Sequence, residues 1–140
     1  MRKGLFAIKL DEMERMYGHL QSRLQISQSE DQHKIRREIE RLKDECLENE
    51  VMLQKTVHTS RTPMAAQLAE AQLKCRRESE CCLETLLEQT SGIDAQAEAA
   101  TLYAEFAIDQ ATQVMNHALY AALIALDKQL TAEKERKGTL

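Results

Sequence analysis

Four cysteines and four histidines are the residues with the richest potential chemistry in this 140-residue chain. Cys46, Cys75 and Cys82 sit at positions that helical spacing directs toward inner seams, while Cys81 faces away from them. Three thiols on facing seams, with a vicinal Cys81-Cys82 pair, could hold a soft metal or form a redox switch. Against this, no C-x-x-C and no Cys/His zinc spacing is present. Cysteine in a helical core is otherwise a small hydrophobe. The thiols are therefore read as packing residues, reduced in a cytoplasmic setting.

The histidines and carboxylates invite a di-metal bundle, which needs two Glu-x-x-His motifs and a glutamate from each of two further helices. Only Glu30-x-x-His33 has that spacing. Glu98, Glu105 and Asp109 could line a site, but a solvated stripe is the simpler reading. His117 lies among apolar neighbours, close by helical angle to Phe106 and Ile124. It could act as a ligand or base, or as an interface histidine satisfied by one hydrogen bond. No nucleophile elbow, phosphate-binding glycine loop or dinucleotide fingerprint occurs, and the chain has only four glycines. The expectation is a protein that is not an enzyme, with no catalytic, cofactor-binding or metal residues and no cofactor.

Those side chains must be carried by helices. One proline, no tryptophan, 4% aromatic residues and abundant Ala, Leu, Glu, Gln, Lys and Arg describe an all-α chain. The net charge of −4 is mixed along the sequence, which argues against nucleic acid as a partner. The basic start, MRKGLFAIKL, has too short an apolar piece for a signal peptide. A single helical domain over 1–140, cytoplasmic and without a membrane span, is the natural reading.

Periodicity and punctuation divide it into an antiparallel bundle of about four helices with heptad seams and a long C-terminal helix. Helix A is expected at about 5–26, with Leu10, Met13, Tyr17, Leu20 and Leu24 on one seam. Helix B follows at about 29–58, its start marked by the capping boxes Ser27-x-x-Glu30 and Ser29-x-x-Gln32. Its inner set is Ile35, Ile39, Leu42, Cys46 and Leu53; Glu38 and Glu45 belong to a solvated outer face. Thr62 and Pro63 announce helix C, about 63–89, with the inner stripe Met64, Leu68, Ala71, Cys75, Ser79, Cys82 and Leu86. Ser91-Gly92 ends it, and Asp94 caps helix D, about 94–136. The polar tail TAEKERKGTL is expected to fray.

Register follows from mirror symmetry. The seam residues of B and C are equidistant from a point between Ser60 and Arg61, where the turn residues stand. Helices C and D mirror about Ser91-Gly92, and A and B about Gln28.

Helix D is apolar on several faces. Ala97, Ala100, Ala104, Ala107, Ala111, Val114, Ala118, Ala122 and Ala125 form one stripe; Ile108, Met115, Leu119, Leu123, Leu126 and Leu130 form another. It should outrun helix C by about 18 Å. Leu119, Tyr120, Leu123, Ile124, Leu126 and Leu130 on that overhang would then need a cover. A homodimer is expected, with these six residues at the oligomer interface and a further protein partner as an option. The function class is a protein–protein interaction or assembly module. The alternative is a bundle binding a small ligand or soft metal through the core thiols or the His117 region.

Overall fold

A computed structural model describes residues 2–138 and contains four α-helices, with no strand among the described residues. They are α1 (Arg2–Gln28), α2 (Gln32–Thr59), α3 (Pro63–Glu88) and α4 (Ile93–Gly138). The all-α class and the long C-terminal helix agree with the sequence reading. Met1, Thr139 and Leu140, parts of the expected basic start and frayed tail, lie outside the described residues. Within them the tail is helical as far as Gly138.

Local chemistry explains each boundary. The chain breaks between α1 and α2, where Ser29 Oγ donates to the Ile26 carbonyl at 2.8 Å. The N-cap of α2 is Asp31, whose carboxylate accepts from Lys34 N at 2.9 Å. Neither serine capping box is used, because an aspartate closer to the first apolar residue supplies a charged acceptor. Thr62 does cap α3, accepting from Ala65 N, and Pro63 occupies the first turn, where a missing N–H costs nothing. Gly92 takes φ +96°, a left-handed value that favours glycine. Asp94 lies inside the first turn of α4 rather than at its cap. Gln96 instead reaches back, its Nε2 donating to the Leu87 carbonyl at 3.3 Å and the Thr90 carbonyl at 3.2 Å.

Two compact units divide the chain, Gln21–Ala100 and the segments up to Leu20 and from Thr101 onward. Within Gln21–Ala100, α2 and α3 form the expected antiparallel hairpin around Ser60–Thr62. On α2 the inner stripe contains Ile35, Cys46, Leu53 and Val57, all half-buried, whereas Ile39 and Leu42 are exposed.

The face of α3 differs from the sequence expectation. Met64 and Leu68 are 71% and 63% exposed, while Ala69 and Leu73 are 6% and 5% exposed. Ala66, Ala69, Leu73, Arg76, Leu83 and Leu87 form the inner line instead, and of the expected stripe Leu86 is half-buried. Small Ala66 and Ala69 let the helices approach near the turn, and Leu73 fills the space beyond them. Arg76 can belong to this line because Glu80 lies 2.9 Å and Glu50 3.7 Å from its Nη2. Arg77 Nε also donates to Glu50 at 3.1 Å. Helical side chains lean toward their own N-terminus, so in an antiparallel pair Glu50 and the two arginines lean toward each other.

Within Gln21–Ala100, the buried alanine of early α4 is Ala99, between Ala97 and Ala100, the two residues that the stripe had favoured, both of which are exposed.

Candidate interaction surface

Helix α4 runs 46 residues without an internal glycine or proline. Alanine-rich sequence sustains it, since alanine has the highest intrinsic helix propensity. Asp94 in the first turn and Arg136 and Lys137 in the last complement its dipole. The helix thereby holds three apolar groupings at fixed angles. Leu119, Tyr120, Leu123, Ile124 and Leu130 are exposed, Leu119 at 58% and Leu123 at 56%, while Leu126 is half-buried. Ile108, Val114 and Met115 extend the apolar surface toward the N-terminus, and all are exposed.

Aromatic rings add rigid area on other faces. Tyr103 and Phe106 stand 5.9 Å apart between centroids, tilted by 46°. His117 and Tyr120 stand 6.1 Å apart, tilted by 37°. His117 is exposed beside an aromatic ring, not enclosed in a core.

Helix α1 carries its own seam. Phe6 and Met13 are half-buried, while Leu10, Tyr17, Leu20 and Leu24 are exposed. Alternating steps of four and three run from Phe6 to Leu24. Exposed apolar residues of this number, on two helices, greatly exceed the scattered singles normal for a soluble surface.

The thiols do not converge as the seam reading proposed. Cys46 is half-buried and Cys75, Cys81 and Cys82 are exposed. Cys82 and Cys75 follow the Met64–Leu68 face outward, for the reason given for α3. Cys81 Sγ lies 3.9 Å from Thr85 Oγ1, a contact within one helix. No group of three His, Cys, Asp or Glu side chains is placed to hold a metal ion among the described residues.

One polar cluster was missed in the sequence. Arg23 of α1 donates from Nε to Glu38 at 2.9 Å and from Nη1 to Glu45 at 3.0 Å, tying α1 to α2 within Gln21–Ala100. Arg41 flanks Glu38 at 3.3 Å. Hydrogen bonds to Glu38 first and Glu45 second hold the Arg23 guanidinium protonated above its ordinary range. The hydrogen bond from Arg23 lowers the Glu38 carboxyl below the usual carboxylate range, outweighing its partial desolvation. Glu38 and Glu45, seven residues apart, share one face of α2, so the spacing was visible. Their partner was not, because nothing in α1 marks Arg23 from the other cations.

An open groove near the hairpin turn is lined by Val57, His58, Gln67, Leu73 and Lys74.

No protein-family model, curated protein or solved structure matches this chain. Among the described residues, no helix is long and apolar enough to cross a membrane.

Proposed function

We propose that this chain is a non-enzymatic interaction or assembly module that works as an oligomer, with the apolar faces of α4 as its contact surface. The apolar surface of α4 carries the reading: Leu119, Tyr120, Leu123, Ile124 and Leu130 are all exposed, a grouping beyond the scattered singles of a soluble surface. Only Ala69, Leu73 and Ala99 are buried among the described residues, too few to form a core. A ligand-binding bundle finds no comparable support, because three of the four thiols and His117 face outward.

Light scattering across a range of protein concentrations tests this reading. The expected mass is a multiple of 16.0 kDa. A stable, soluble monomer at every concentration overturns it.

A further inference from the structure

Resting on that reading, we infer that two copies of this chain associate through an antiparallel, two-fold pairing of α4 centred at Leu119. At about 100° per residue, Ile108, Thr112, Met115, Leu119, Leu123, Leu126 and Leu130 fall on one face of α4. Their spacing is palindromic. Measured from Leu119, Met115 and Leu123 lie four residues away, Thr112 and Leu126 seven, and Ile108 and Leu130 eleven. A two-fold axis at Leu119 therefore lays the whole stripe on itself, as an isologous contact requires. Of its apolar members, only Leu126 is half-buried in the single chain; the other five are exposed.

Charge selects the orientation. Glu105 lies fourteen residues before Leu119 on the same side of the helix, and Lys134 fifteen residues after it. Both are exposed, and neither has an ion-pair partner among the described residues. Antiparallel pairing brings Glu105 of each copy to the level of Lys134 of the other, giving two opposite-charge pairs at the ends of the apolar stretch. A parallel pairing would leave Glu105 of both copies with no cation at their level. It would also align the two helix dipoles unfavourably. The apolar seam supplies affinity and the flanking charges fix direction, the division found in coiled coils.

Charge reversal tests the register. Glu105→Lys and Lys134→Glu should each weaken dimerisation by about tenfold in Kd, since each variant converts two attractive pairs into repulsive ones. The double variant should recover wild-type affinity. Crosslinking provides the second measurement, in a background with Cys46, Cys75, Cys81 and Cys82 changed to Ser. Leu119→Cys should form a disulfide-linked dimer. Ile108→Cys should not, because an antiparallel pair holds those two positions about 33 Å apart. A wild-type dimer that ignores both charge reversals, or loses affinity additively in the double variant, overturns the antiparallel register. So does efficient crosslinking through Ile108→Cys. Such outcomes leave association itself standing, whereas a wild-type monomer at all concentrations removes both.

Discussion

Leu73→Ala measures which face of α3 joins the hairpin. Leu73 is 5% exposed, so truncation removes three carbons from a buried position. At about 0.8 kcal/mol per methylene the transfer loss is about 2.4 kcal/mol. Cavity terms can raise a leucine truncation to about 5 kcal/mol in a closed core. Here the adjoining groove lined by Val57, His58 and Lys74 is open, so water can enter and the added penalty is small. A cost of about 2–3 kcal/mol is expected, near the low end of measured leucine truncations. Leu68→Ala serves as the matched control, because Leu68 is 63% exposed and should cost under about 0.5 kcal/mol. Urea unfolding followed by far-ultraviolet circular dichroism, at one fixed protein concentration, reads both. The Leu73 variant should lose about 1–2 M in midpoint at unchanged slope. If Leu68→Ala costs as much as Leu73→Ala, the hairpin uses the Met64–Leu68 face and the packing described for α3 is wrong.

Further outcomes follow from the caps, the ion cluster and α4. Asp31→Ala should destabilise by about 1 kcal/mol, and Thr62→Ala by about 0.5 kcal/mol, because the Thr62 bond is long; denaturant midpoints decide the order. Glu38 titrates below its ordinary range, so its contribution is fully present above the unfolded carboxylate pKa and disappears as pH falls through the lower folded value. Glu38→Gln should accordingly flatten the acid limb of a stability–pH profile, and an unchanged limb would dismiss the pairing with Arg23. If the chain associates as proposed, Leu123→Glu combined with Leu126→Glu should lower the mass read by light scattering to that of the monomer while leaving the α2–α3 hairpin helical.

Helix type and turn position were legible because they depend on local chemistry. Thr62-Pro63 and Gly92 punctuate the chain whatever the helices later touch. Facial choice was less legible. Helix α3 carries two interleaved stripes, Met64–Leu68–Ala71–Cys75 and Ala66–Ala69–Leu73, and the first is the more continuous in apolar residues. Arg76 interrupts the second, and only the approach of Glu50 and Glu80 makes an arginine acceptable there. Tertiary pairing selected the second phase over the one that periodicity favoured. The same limit applies to Arg23, whose acidic partners on α2 were read as a solvated face. In α4 the stripe from Ile108 to Leu130 was fully legible, since exposure does not alter its spacing.

The three-residue connection between Thr59 and Pro63 also sets a timetable. Closing so short a loop takes well under a microsecond, and helix elongation on either side takes nanoseconds per residue. The α2–α3 hairpin can therefore form early, from neighbours in sequence, with little loop entropy to overcome. In the proposed dimer, Leu119 and its flanking leucines must instead wait for a bimolecular encounter. Refolding should separate into a fast phase indifferent to dilution and a slower one whose rate rises with protein concentration. Between the two, the chain would hold a finished hairpin and a sticky α4, and crowding by its own copies would decide how long that interval lasts.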